Sequence, residues 1–340
     1  MPYRQTLPDF LPVKDPRLLR KLRRVTKKEL LQPRPSAEDL TISPYRTRGE
    51  ILRAYGDTVV REIRKGAETG APFVLLFSMP LRPNPGLELA QKELLKGKID
   101  LRNFYPSPVD EFADARGNPV PESFAGSMVG ALKRLFIDPL VKKGLLPRDN
   151  VLSPLPSKRS KLERMLDITG GAQCLFGGLG WGGHVAMIEG DLAETTPDET
   201  EWRKLSFHRR SIAPVSVMQL ALPVGGDWSY FPSHAHTIGP KEYIGAHLRS
   251  MWWDGMQGSF SYQQFAARLA LRGPVTPAVP ASYVQRLPSE VHILEAVAAD
   301  LPEMRFRERA RRQADQRQAD QRQADQRKAD QRKADQRKAE

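Results

Sequence analysis

The stretch GGLGWGGHVAMIEGD, residues 177–191, sets His184 and Glu189 five residues apart in a glycine-rich loop directly after the apolar run CLF. An imidazole, with an ordinary pKa of about 6.5, exchanges protons near neutral pH, and a neighbouring carboxylate fixes its tautomer and supports its cationic form. The glycines, Gly178 and Gly180 among them, allow close backbone approach, so a ligand could contact main-chain amides there. Two more titratable groups, Asp110 and Glu111, stand side by side in FYPSPVDEFADARGNPVPESF, residues 104–124. On spacing alone, adjacent acids are usually solvated loop residues, and a loop histidine is usually satisfied by backbone groups. A third segment, SMPLRPNPG, runs from Ser78 to Gly86 and carries one guanidinium, Arg82, suited to bidentate anion contact.

Those residues need elements to hold them. Residues 49–65 carry Ile51, Leu52, Tyr55, Val59 and Ile63 at helical spacing, whereas 72–78 (PFVLLFS) is a short continuous apolar run suited to a strand covered on both faces. A helix is expected over 87–95, a strand from 103–105, a helix over 124–137 until Pro139 interrupts it, and a strand at 172–176. Residues 215–222 read as strand or edge, and 260–271 as helix. Alternation of this kind predicts an α/β fold: a three-layer, Rossmann-like domain with a mostly parallel sheet. Ligands of such sheets bind at the carboxyl ends of the strands, so chemistry is expected in the loops after 78, 105 and 176.

The net charge of +13 invites a polyanion until its distribution is considered. Residues 1–34 hold ten Lys/Arg against three acids and residues 312–340 nine against six, leaving only +3 for the middle. Nucleic acid is therefore expected as a partner only through the basic tails. The C-terminal repeat has a period of five, so its alanines advance about 140° per repeat and form no helical stripe. The expected organisation is a basic, proline-containing extension with one short helix over 1–42, an α/β domain over 43–305, and a charged repeat tail over 306–340. Neither tail is expected to bury much area against the domain, although Leu18, Leu19 and Leu22 with Leu30 and Leu31 could dock as a short amphipathic helix. No run of about 18 apolar residues occurs, the N-terminus has charges and prolines where a secretory signal would be apolar, and the single cysteine, Cys174, lies in an apolar stretch as a structural thiol. The expectation is a cytoplasmic protein without a membrane span. No metal is expected, because the pair His234 and His236 lacks a third ligand at a recognised spacing, and the scattered tryptophans read as packing.

Over roughly 42–301 the sequence resembles the glucosamine-6-phosphate deaminase/isomerase family and its relatives the 6-phosphogluconolactonases. The 177–191 loop is similar to the family's Gly-Gly-Ile-Gly-x-Asp-Gly-His-Ile-Ala-Phe-Asn-Glu-Pro loop, and the presence of Glu189 favours the deaminase branch. Residues 104–124 are similar to its Phe-Asn-Met-Asp-Glu-Tyr followed by His-Pro-Glu-Ser-Tyr. Weaker similarity continues through TIGPKEYIGA from Thr237 and through ALRGPVTPAVPASYVQRLP, residues 270–288. The resemblance implies a sugar-phosphate isomerase and deaminase, with no cofactor, converting an amino-sugar phosphate to a ketose phosphate and ammonia. In that role Asp110 is the base at the sugar's C2 proton, with Glu111 beside it, His184 the ring-opening acid/base and Glu189 its orienting partner. Ser78, Arg82, Gly86, Gly178 and Gly180 fall where substrate and phosphate would be held.

Three departures accompany the resemblance. Gly182 stands where the family has an Asp two residues before the loop histidine. Pro80, Pro83 and Pro85 remove amide donors from the phosphate loop. The DGMQGSF segment, residues 254–260, has no lysine where the family places a phosphate-binding one. A sugar-phosphate-binding sensor or scaffold of the same fold, without turnover, is the alternative these departures suggest. A homo-oligomer is left open.

Overall fold

The computed structural model describes residues 7–79, 84–97, 99–258 and 260–302. By contacts the chain divides into two units, Met1–Asp300 and Leu301–Glu340. Arg82 and the repeat tail expected over 306–340 both lie outside the described residues.

Among the described residues eleven strands occur in chain order: β1 (Leu40–Tyr45), β2 (Phe73–Phe77), β3 (Phe104–Pro108), β4 (Asp110–Ala113), β5 (Cys174–Gly177), β6 (His208–Ser211), β7 (His234–Thr237), β8 (Leu248–Trp253), β9 (Met256–Gln257), β10 (Phe260–Ser261) and β11 (Ser289–Leu294). Six form a sheet in the order β1-β11-β8-β5-β2-β3, and every neighbouring pair is parallel. All five residues of β2 are buried, and since successive side chains point to opposite faces, helices cover both. This is the three-layer α/β arrangement the alternation predicts. Among the described residues no helix is long and apolar enough to cross a membrane.

A smaller antiparallel sheet, ordered β4-β7-β6, takes over where β3 ends. Val109 is the joint: its N–H bonds Phe77 O of the large sheet, while its carbonyl accepts from Ile238 N beyond β7. Asp110 therefore leaves the carboxyl end of the parallel sheet at its first step into the second one.

Three local expectations change. Residues 215–222 belong to the helix Pro214–Ala221, which has Pro at its first position and runs on into a short 3₁₀ turn. The 124–137 helix is shorter, Met128–Leu132, and passes through a π turn, Lys133–Ile137, into the helix Asp138–Lys142; Pro139 occupies the first turn of that last piece rather than breaking it. The 260–271 helix begins only at Gln264, after the β9/β10 hairpin.

The N-terminal segment holds two helices instead of one. Pro16–Arg23 is capped by the Asp15 side chain, and Lys27–Leu31 by a Thr26/Glu29 capping box. Leu22 packs with Leu269 and Val279, and Leu30 enters the main core. The Arg268 guanidinium donates to Val25 O, and Lys27 N to Asp300 Oδ1. The expectation that residues 1–34 bury little area fails because the leucines between their charges meet one helix, Gln264–Arg272, and the core beneath it.

Candidate active site

A cavity of about 210 Å³ opens at the carboxyl ends of β2, β5 and β8, the edge where ligands of parallel sheets bind. Asp110 and His184, from loops 74 residues apart in sequence, both line it, together with Ser78, Gly178 and Gly180. Its walls are otherwise largely apolar, with Tyr55, Phe176, Trp252 and Tyr262 among the lining residues and Gln219 and Gln263 adding polarity.

Asp110 is buried, and its Oδ1 has no hydrogen-bond partner. Burial, with the Glu111 charge next door, pushes its carboxyl up to about 8. Glu111 points the other way, as strand alternation requires, and does not line the cavity. Its carboxylate accepts from Ser127 Oγ at 2.7 Å and from the amides of Met128 (3.1 Å), Val129 (2.9 Å) and Phe112 (2.8 Å). Burial raises its pKa while these donors pull it down. Glu111 is thus an anchor for the start of the Met128–Leu132 helix, not a second carboxylate of the cleft.

His184 sits on a tightly folded loop. Gly180 N–H donates to His184 O, Gly183 N–H to Gly180 O, and Ala281 N–H to Gly183 O. A Cβ on Gly180 would lie 2.0 Å from the imidazole, so only glycine lets the ring rest on the main chain here. The Gly180 amide is consequently committed inside the loop, and what this residue offers a ligand is space. Ser216 Oγ, on the helix Pro214–Ala221, lies 3.1 Å from His184 Nδ1. Burial lowers the pKa of His184 to about 4, helped by the Arg210 charge, so the ring is neutral at physiological pH.

Glu189 is also buried but makes no hydrogen bond to His184; its Oε1 accepts from Ala213 N at 3.3 Å, and Oε2 has no partner. Burial raises it to about 7, against the opposing pull of Arg210 and the nearby Ser216 hydroxyl. The orienting contact expected of Glu189 is made by Ser216. Only the helix Pro214–Ala221, in place of the strand or edge expected over 215–222, makes Ser216 and Gln219 neighbours on one face.

The anion end differs from the expectation as well. Gly86 does not line the cavity; it is the contact point of two helices, where a Cβ would meet Leu52 O at 2.5 Å. Its N–H and that of Leu87 are taken by Asn84 Oδ1, which caps the helix Pro85–Lys96. Arg48 is the cavity's cation among the described residues, and it pairs with Asp254 at 3.6 Å. Arg209 and Arg210 contribute nothing to this wall; Arg210 binds both oxygens of Asp191. The described residues contain no cluster of three or more His, Cys, Asp or Glu suited to a metal ion: His234 bonds Ser233 and His236 bonds Gly117 O.

A wholly parallel α/β sheet with a cavity at its carboxyl edge, lined by buried Asp110 and His184, defines the class, and solved structures share the fold. A monomeric glucosamine-6-phosphate deaminase of the NagB superfamily superposes with a TM-score of 0.59, covering 76% of this chain and 99% of its own at 15% identity. The 6-phosphogluconolactonase of Trypanosoma cruzi gives 0.52, covering 79% and 96% at 14% identity. That of Leishmania guyanensis gives 0.52, covering 77% and 99% at 12% identity. No family model and no curated protein matches the sequence. The chain has the fold shared by these deaminases and lactonases, and at such identities the likeness is one of fold.

Proposed function

We propose that this chain is an acid–base enzyme acting on a sugar phosphate, of the aldose-ketose isomerising deaminase type, which turns an amino-sugar phosphate into a ketose phosphate and ammonia. The observation that carries the reading is the buried, unpartnered Asp110 carboxyl lining the same cavity as a neutral His184. A carboxyl held near 8 is a strong base once ionised, suited to take the proton from C2 of an open-chain sugar and return it to C1. A neutral imidazole can give or take the ring-oxygen proton without a standing charge in a largely apolar cavity. The sugar phosphate is supported by the fold and by Arg48 at the cavity wall.

Incubation with glucosamine 6-phosphate should release ammonia and fructose 6-phosphate, and turnover should rise as pH is raised through about 8 while Asp110 ionises. Turnover no greater than that of Asp110→Asn would sink the enzymatic reading. The alternative is a binding protein of the same fold without turnover. It is favoured by one feature, Gly182, which stands where the resemblance places an acid beside the loop histidine and is covered by Pro12. Thermal stabilisation by the sugar phosphate with no product formed would select it.

A further inference from the structure

The basic residues near the N-terminus sit on folded elements. From Arg17 to Lys28 the chain carries seven Lys/Arg and no acid. At about 100° per residue, Arg17, Arg20, Lys21 and Arg24 fall within an arc of about 100° on the helix Pro16–Arg23 and its C-cap, and Leu18, Leu19 and Leu22 centre on the opposite side. The leucine side is the packed one: Leu22 is buried with Leu269 and Val279, and Leu18 and Leu19 pack against them. The arc of cations is thereby turned to solvent, and all four are exposed, as is Lys28 on the helix Lys27–Leu31.

The face is rigid and its charge is uncompensated. The Arg268 guanidinium holds Val25 O at 2.9 Å between the two helices, and Lys27 pairs with Glu295 at 2.7 Å. The nearest acids in sequence, Asp15 and Glu29, are spent as helix caps. Arg17, Arg20, Lys21, Arg24 and Lys28 form no ion pair with a described residue. Two more cations gather at the end of the second helix, where the Arg34 guanidinium donates to Arg272 O and that of Arg272 to Gln32 O.

We propose that the exposed face of these two helices docks the phosphate backbone of a nucleic-acid duplex, whatever its base sequence. A fixed arc of unpaired cations is complementary to a dense row of anions, and the face offers nothing else. A helix that lies on a membrane shows an apolar face beside its cations, but here the leucines are in the core and no large apolar residue between 11 and 88 is exposed. A protein interface is anchored at its centre by aromatic or other apolar side chains, which this face lacks. Single strands are held by stacking on aromatic rings, and no aromatic residue occurs between Phe10 and Tyr45. A duplex needs none of these, since it presents about one phosphate charge per 1.7 Å of axis and is bound through Lys and Arg alone when sequence is not read. The proposal is independent of the sugar-phosphate chemistry, because none of these residues lines the cavity.

The test is fluorescence anisotropy of a labelled DNA duplex of mixed sequence, about 20 base pairs long, titrated with the full-length protein at salt from about 50 to 200 mM. Five phosphate contacts contribute about −4.5 to the slope of log K against log salt. Replacing Arg17, Arg20, Lys21, Arg24 and Lys28 together by Gln should remove that share of the slope and weaken binding by about tenfold or more at the lowest salt. Replacing the three arginines by Lys should retain both, because a backbone contact needs only the charge. Arg20→Gln alone, a single exposed substitution that leaves the leucines in place, should make the slope shallower by about 0.9. No binding by the unaltered protein overturns the proposal. So does unchanged binding in the fivefold variant, which would put the contacts in the C-terminal repeat, and so does tighter binding to vesicles of phosphatidylserine and phosphatidylcholine than to the duplex.

Discussion

The two ends of the main cavity have been treated differently. At the end that holds Asp110 and His184, both titratable groups are buried and shifted from their ordinary pKa, Asp110 up and His184 down. At the anion end, the groups that might greet a phosphate are already spent. Asn84 caps its own helix, and half-exposed Arg48 is held by Asp254. Burying titratable groups without full hydrogen bonding costs stability, which marks them as candidates for chemistry. Surface ion pairs cost little and change readily. The two ends thus differ in burial and in how firmly their polar groups are held.

The sharpest way to break that contrast is at Asp110. Asp110→Asn should cut turnover by about 10²–10⁴-fold, the usual contribution of a positioned acid or base. Its stability should move the opposite way. Asp110 ionises near 3.8 in the unfolded chain and about 8 in the fold. Between those values the fold binds the extra proton, so stability falls as pH rises from about 4 to about 8. The asparagine variant should flatten that part of the melting-temperature profile and melt above the unaltered protein at pH 8. A parallel profile would show that Asp110 is not held protonated.

Next in size is Gly180→Ala, which drives a methyl into the His184 ring. We expect turnover to fall by about 10²-fold, the scale of a misplacement of about 1 Å, with the ¹⁵N signals of His184 displaced. Unchanged His184 signals would mean that the glycine does not set the ring's position.

The other end should respond more gently. Asp254→Asn loosens Arg48, and because exposed ion pairs are worth about 0.2–1 kcal/mol, KM for a sugar phosphate should fall by at most about fivefold at unchanged kcat. A rise in KM would show that Asp254 itself contacts the ligand. Smallest of all is the effect of ending the chain at Arg311. The repeat has no apolar stripe to bury, so the melting temperature should stay within about 2 °C, less than 1 kcal/mol for a domain of this size. A larger drop would show that the repeat packs on the fold.

Parts of this were legible in the sequence because one physical rule decided them. The run FVLLF reads as a doubly covered strand since nothing else makes five consecutive apolar residues useful at that length. The 177–191 loop, with its histidine after a strand, stands at the correct edge of the sheet. Glu111 was misjudged beside Asp110 because the short strand β4 was not foreseen, and strand alternation sends neighbours to opposite sides. Residues 215–222 are apolar at both strand and helix periods, so only the Ala213-Pro214 start could have signalled a helix, and Ser216 went unnoticed with it. The N-terminal leucines are legible as a docking face, but their partners on the helix Gln264–Arg272 lie more than two hundred residues away, where no local pattern reaches.

The central claim is that Asp110 removes a proton from carbon in this cavity, and solvent exchange reads that step directly. Glucosamine 6-phosphate incubated with the protein in D₂O at pH 8 should lose its C2 proton signal in the ¹H NMR spectrum. The loss should fall by about 10²-fold or more in Asp110→Asn. Retention of the C2 proton with the unaltered protein, under conditions where the sugar phosphate raises its melting temperature and so is bound, would contradict the claim.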